Sequence, residues 1–200
     1  MSIVVEHEKR QREILEKALD VFIDEGYENA TFQKIADRCA ITRTTLYIYF
    51  RNKKEIFNFS IKQLLGKVEK DILEVKENRE LNYVEKIAKV LQVILEHLEE
   101  SRRLLSVILD FLINLSKSGT SPDSRVRRRT VRLRHILATM VIEGIWAGEI
   151  EPINVRAADD LLYGIIEAAI FRLAVLKRES VGELRHSAAL AARQLGTCAP

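Results

Sequence analysis

Proline and glycine are scarce in this chain: three prolines and eight glycines in 200 residues. Sandwiches, barrels and disordered linkers need many more turn residues, so none of these classes fits. Cysteine is nearly absent. Cys39 and Cys198 lie far apart, form no CxxC pair, and stand among four scattered histidines, His7, His97, His135 and His186. That pattern predicts a reduced, cytoplasmic protein that holds no metal and no cofactor. No run of 18 apolar residues occurs, so no membrane span is expected. The opening Met1 to Val5, followed by Glu6-His7-Glu8-Lys9-Arg10, lacks a signal-peptide core. A glycine-rich phosphate loop, a metal-ligand cluster and a Ser/His/Asp arrangement at a telling spacing are all missing, which argues against an enzyme. What remains is 47% hydrophobic and 30% charged, rich in leucine, isoleucine, alanine, glutamate, lysine and arginine. These are helix formers, and the chain is long enough to bury a core without a staple. The expected fold class is all-α.

Charge of one sign is also lacking overall, with a net of only +3. The balance is local. Residues 1–30 hold four bases (Lys9, Arg10, Arg12, Lys17) against eight acids, a net of −4. Residues 31–54 hold six bases (Lys34, Arg38, Arg43, Arg51, Lys53, Lys54) against Asp37 alone, a net of +5. A basic block after an acidic helix suits a polyanion on one face, although blocks of this size also occur as ordinary surface charge.

Apolar periodicity places the helices. Ile14, Ala18 and Phe22 recur every four residues over 8–25, and Gly26 is placed to end that helix in a left-handed conformation. Thr31 can cap a short helix over 31–39 that buries Phe32, Ile35, Ala36 and Cys39. Thr42 can cap another over 43–49, with Leu46 inward. Asn52 can cap a long helix from Lys53 to about residue 76. Further helices are expected over 82–99, 101–117, 122–147, 155–178 and 183–195, about nine in all. The clearest loop is 117–122.

Two short helices joined by a tight turn, the second one capped, define a helix-turn-helix. The second presents Arg43, Thr44 and Thr45 at its start, then Tyr47 and Tyr49. An arginine there can donate twice to guanine O6 and N7, a threonine can meet a thymine methyl, and hydroxyls and Lys53 suit phosphate oxygens. At these residues the sequence resembles the TetR family of transcriptional regulators. The resemblance rests on Ala18 to Phe22, Glu25-Gly26-Tyr27, Thr31 through Asp37, and most strongly on Thr45-Leu46-Tyr47-Ile48-Tyr49-Phe50-Arg51-Asn52-Lys53-Lys54-Glu55-Ile56-Phe57. It covers about residues 10–60. It implies an N-terminal three-helix DNA-binding domain (1–52) and a C-terminal helical bundle for effector binding and dimerisation (53–200). It also implies base reading by Arg43 and Thr44, a base or phosphate contact for Gln33, and DNA-backbone contacts from Thr31, Thr45, Tyr47, Tyr49 and Lys53. Thr42, at the head of the helix, completes the expected DNA-binding set. One departure stands out: Ala40 occupies the turn position where the family usually has glycine.

The resemblance further implies a ligand-responsive repressor with three partners: double-stranded DNA, a second copy of the chain and a small-molecule effector. One helix-turn-helix reads too few base pairs alone, so a homodimer on a near-palindromic operator is expected. The helix over 161–176 is apolar almost all round and must be buried on more than one face. With the helix over 183–195 it gives the interface candidates Leu162, Ile166, Ala169, Leu173, Leu184, Ala188, Ala191 and Leu195. The effector candidates are Phe111, Met140, Glu143, Trp146, Tyr163 and Glu167. Two acids among aromatics would suit a cationic effector, and a surface place for both acids fits the sequence as well. Arg125, Arg127, Arg128, Arg129, Arg132 and Arg134 crowd ten residues, read first as a solvated helix start paired with nearby acids, with a second nucleic-acid patch or an anionic-effector site as alternatives. The alternative to a DNA-binding regulator is a helical adaptor that binds protein through the same surface.

Overall fold

The computed structural model describes residues 2–117 and 124–197, with side chains over 5–117, at 128 and over 130–197. Cys198, most of the loop expected at 117–122, and the side chains of Arg125, Arg127 and Arg129 lie outside the described residues. Among the described residues nine α-helices follow one another with no strand. They are α1 (Ser2–Asn29), α2 (Phe32–Cys39), α3 (Arg43–Tyr49), α4 (Lys53–Glu77), α5 (Tyr83–Glu100), α6 (Arg102–Lys117), α7 (Ser124–Trp146), α8 (Val155–Ile170) and α9 (Gly182–Leu195). A π-helical turn, Phe171–Val175, extends α8. The chain divides into two compact units, Met1–Lys67 and Val68–Pro200.

The boundary expected at 52/53 therefore falls at 67/68, inside α4. The start of α4 belongs to the first unit because its side chains are buried there. Ile56 and Phe57 are fully buried, and Phe57 meets Phe22 of α1 edge-on at 4.9 Å between ring centroids. Such a pair contributes about 0.5–1.5 kcal/mol beyond its burial. The Ser60 hydroxyl, also buried, donates to the Leu15 carbonyl at 3.0 Å. Around these lie Ile14, Ala18, Phe22, Ile35, Ala36, Leu46 and Phe50, one continuous apolar core.

The expected caps form. Thr31 Oγ1 accepts from the Lys34 amide at 3.2 Å, Thr42 Oγ1 from the Thr45 amide at 3.0 Å, and Asn52 Oδ1 from the Glu55 amide at 2.8 Å. Each satisfies an amide that the first turn leaves unpaired. Gly26 takes φ 77°, ψ 164°. This is not the left-handed helical region expected from sequence but the mirror-extended region that glycine alone visits. The kink lets residues 27–29 turn once more before α2.

Ala40 sits at φ 56°, ψ 43°, a left-handed residue whose amide donates to the carbonyls of Ala36 and Asp37. The turn keeps its geometry although the residue is not glycine, at a cost of about 1–2 kcal/mol. Ala40→Gly removes that strain while adding unfolded-state freedom. It is expected to stabilise the chain by up to about 1 kcal/mol in denaturant unfolding, and a destabilised variant would disprove the strain.

In the second unit α5 is the central helix. It buries Ile87, Val90, Leu91, Ile94 and Leu95 and packs on α7, α8 and α9. A complete capping box starts it: Asn82 and Glu85 each bond the other's backbone amide. α8 has two apolar stripes. Leu162, Ile166, Ala169 and Leu173 face the core, while Leu161, Phe171 and Val175 face outward and are about half exposed.

Candidate nucleic-acid interface

The first unit uses its acidic helix to orient its basic one. Lys34 pairs with Glu25 at 2.7 Å and Arg38 with Asp24 at 3.1 Å, so two bases of α2 are neutralised by α1. Both pairs are surface-exposed, each worth at most about 1 kcal/mol, and they act mainly by fixing where α2 lies. Lys53 is also engaged. Its ammonium donates to the carbonyls of Tyr27 at 2.7 Å and Glu28 at 3.1 Å, and lies 4.5 Å from the Tyr27 ring centre. Burial, with help from Glu28, raises the Tyr27 phenol above its ordinary pKa, so the ring stays neutral under the cation. Among the described residues, four bases of the +5 block have no carboxylate partner: Arg43, Arg51, Lys53 and Lys54.

Lys53 was expected to contact the DNA backbone; in the structure two of its three donors close the end of α1. The strain of a cation at the N-terminus of α4 is offset by the carbonyls it meets. Lys53→Ala is expected to cost about 1.5–3 kcal/mol of stability without DNA, the range for charged hydrogen bonds, read in denaturant unfolding. A variant as stable as the parent, with a salt dependence of DNA binding shallower by about one, would restore the phosphate reading.

The surface of α3 is built by what surrounds it. Leu46 alone is buried, which turns Arg43, Thr44, Tyr47 and Ile48 outward. The Tyr47 ring stacks on Phe32 of α2 at 4.6 Å, and its hydroxyl accepts from Arg43 at 3.2 Å. The guanidinium also lies over the Tyr47 ring at 5.6 Å. Arg43 is therefore held by one phenol, with most of its donors left for a ligand. Thr44 is exposed with no side-chain partner among the described residues. Thr42 and Thr45 share a hydroxyl contact of 2.8 Å beside their capping bond. Thr31 is exposed as well as capping. A capping hydroxyl accepts through oxygen and keeps its own hydrogen to donate. Tyr49 is half-buried and stacks on His7 of α1 at 4.7 Å. Gln33 is exposed, its amide donating to Asp37 at 2.7 Å. Ile48, 70% exposed, was not among the residues singled out from sequence. With Leu46 inward the helix phase already turns Ile48 out, and that phase was the signal that could have found it. Cys39 is buried, its weak thiol bond to the Ile14 carbonyl 3.9 Å long. Burial pushes its pKa up against the pull of Lys17, Arg10 and Arg38, as befits a small apolar filler.

The other expected sets fare differently. The six effector candidates do not come together around one pocket. Phe111 and Met140 are buried, Tyr163 is half-buried beneath the Arg134 guanidinium at 5.3 Å, Glu167 is exposed, and Trp146 is 83% exposed. Glu143 pairs with Lys76 at 3.5 Å, so its charge is already met. A cleft of the second unit lies between α4 and α5, about 460 Å³, lined by Asp71, Glu74, Asn78, Lys89, Glu96 and Glu100 among others, and includes none of the six. Short runs of helix periodicity show which residues share a face, not which face closes a cavity. The interface set also needs correction. Leu162, Ile166, Ala169, Leu173, Leu184, Ala188 and Leu195 are buried in the protomer's own core, and Ala191 is half-buried against it. On a helix apolar all round, the stripe chosen from sequence was the inward one. Arg132 pairs with Glu69 and Arg134 with Asp159 and Asp160, which fits the solvated, acid-paired reading of those two arginines. Among the described residues no His, Cys, Asp or Glu group could hold a metal ion, and no helix is long and apolar enough to cross a membrane.

Two short capped helices at a fixed turn, the second turned outward with an arginine at its head that has no carboxylate partner among the described residues, define a helix-turn-helix DNA-binding protein. Residues 14–58 match the family model described as bacterial regulatory proteins, tetR family. The fatty acid metabolism regulator protein of Bacillus subtilis (strain 168) is 27% identical over 163 residues, covering 79% of this chain and 80% of that one. A TetR transcription regulator from Haloarcula marismortui superposes with a TM-score of 0.83 at 20% identity, covering 95% of this chain and all of that one. A transcriptional regulator FadR from Bacillus subtilis, in complex with stearoyl-CoA, does so with a TM-score of 0.69 at 23% identity, covering 93% and 97%. Residues 14–58 thus match that family's DNA-binding domain, and over most of its length the chain is similar to DNA-binding transcriptional regulators.

Proposed function

We propose that this regulator is a repressor that binds a near-palindromic operator as a homodimer and leaves it when a small-molecule effector binds the second unit. The observation that carries the reading is the outward stripe of α3, where Arg43 has no carboxylate partner among the described residues although Lys34 and Arg38 nearby do. In it Arg43 and Thr44 read base edges. Thr31, Thr42, Thr45 and the Tyr47 and Tyr49 hydroxyls meet the DNA backbone, and Gln33 meets a base or a phosphate. Dimerisation uses the outward stripe of α8 and its π-helical extension, Leu161, Phe171 and Val175, with Leu190 of α9. Gly164 favours close approach of a partner helix, since a Cβ there would meet no atom within 4 Å.

The effector is proposed to act through α4, one continuous helix from Lys53 to Glu77. Its C-terminal half is tied to the second unit by Glu69 to Arg132, Asp71 to His97 at 2.6 Å and Lys76 to Glu143. A ligand that loosens these ties shifts α4 and changes the spacing of the two recognition helices. A coupling of about 1–3 kcal/mol lowers operator affinity about 5–150-fold. For the effector class, a relative named for fatty acid metabolism and a structural neighbour holding stearoyl-CoA support a long-chain acyl-CoA over the cationic ligand the sequence suggested. The pairing of Glu143 with Lys76 weighs the same way. An operator is first selected from a random duplex pool. Stearoyl-CoA, coenzyme A and stearate are then titrated against the complex. Release by stearoyl-CoA alone is expected. An intact complex at saturating stearoyl-CoA would remove the effector class and leave the DNA reading standing.

A further inference from the structure

Ile48 is exposed for a reason the protein's own packing does not supply. It stands on the outward face of α3 one helical turn beyond Thr44, beside the Arg43–Tyr47 pair, and 70% of it lies in water. No core needs it there, since Leu46 alone is the buried anchor of this helix. A β-branched residue also disfavours a short helix, so local propensity does not account for it. The face that carries it is otherwise polar and is the face placed against DNA above. On that face an apolar side chain finds one apolar partner among base edges in the major groove, the C5-methyl group of thymine. We infer that Ile48 is a specificity-determining residue that packs on a thymine methyl in each half-site, one turn along the recognition helix from the base read by Arg43 and Thr44. This rests on the DNA-binding reading and adds a base identity to it.

The contact has a chemical signature. Replacing thymine with deoxyuridine removes that methyl and nothing else. Burying one such group changes affinity about fourfold, so the two half-sites together give about fifteenfold. The experiment uses the full-length protein and its selected operator, with deoxyuridine placed at each symmetric thymine pair in turn. The parent is expected to lose about fifteenfold at one pair. Ile48→Ala should lose at least as much on the unmodified operator. It should then lose nothing further when that same pair is replaced, while other pairs behave alike for both proteins. Additive losses at every pair would overturn the inference, as would a selected operator with no thymine in the half-site. An equal loss for Ile48→Ala on an unrelated duplex would overturn it too, because the side chain would then be packing on sugar. Unfolding of Ile48→Ala should match the parent, as the position is exposed, and Ile48→Val should keep most of the methyl effect. Failure of the DNA reading itself would look different: the parent would select no sequence at all.

Discussion

Arg43→Ala is expected to leave the chain folded and to remove most of its preference for its operator. Arg43 lies outside the core and its side-chain partner among the described residues is Tyr47, so unfolding should change by less than about 0.5 kcal/mol. A bidentate arginine–guanine contact discriminates by about 1–3 kcal/mol, and a two-fold complex makes it twice. The operator complex should therefore weaken by about 2–6 kcal/mol, while binding to unrelated duplex falls only by the loss of one charge per protomer. Quantitative binding to both duplexes at two salt concentrations tests this. An equal loss on both would mean that Arg43 meets phosphate and reads no base. Tyr47 sharpens the expectation. The phenol is stacked on Phe32 and accepts from the guanidinium, so Tyr47→Phe should cost part of the same discrimination by freeing the arginine to wander.

Phe171→Glu is expected to convert the proposed dimer to a monomer. Phe171 lies on the outward stripe of α8, half exposed in the protomer, with Val175 one turn further along. A two-fold axis would bring both copies into one interface, so a single substitution acts twice. Truncating a buried aromatic anchor costs about 2 kcal/mol or more per side, and an unpaired carboxylate adds its desolvation. Sedimentation should give a mass near 23.0 kDa at micromolar concentration where the parent gives twice that. Operator affinity should collapse with it. The inward Leu162→Glu serves as the contrast: it should unfold the second unit and leave no defined monomer. A dimeric, operator-binding Phe171→Glu would place the interface elsewhere.

The first unit was readable because its signals are local. Thr31, Thr42 and Asn52 cap helices through atoms three residues away, and the spacing from Leu46 to Phe57 fixes which side chains turn in. The second unit was readable as helices and not as surfaces. Leu161 and Leu162 are neighbours of the same chemistry, yet one faces water and the other the core. Only the packing of α8 on α5 and α9 decides between them, and that is long-range information. The charges failed for the same reason. Lys53 and Glu143 looked free because their partners, the carbonyls of Tyr27 and Glu28 and the ammonium of Lys76, lie 25 or more residues away. Ile48 was passed over because only the polar side chains of the outward face were singled out.

Trp146 has a practical consequence. It is the chain's single tryptophan and lies 83% exposed at the end of α7. Its indole is bathed in water before any unfolding begins, so its emission already sits at long wavelength and denaturation will move it little. Melting curves for the variants above belong to circular dichroism. The same indole becomes a background-free reporter of whatever comes to rest on the end of α7: a blue shift on adding a second molecule signals contact there.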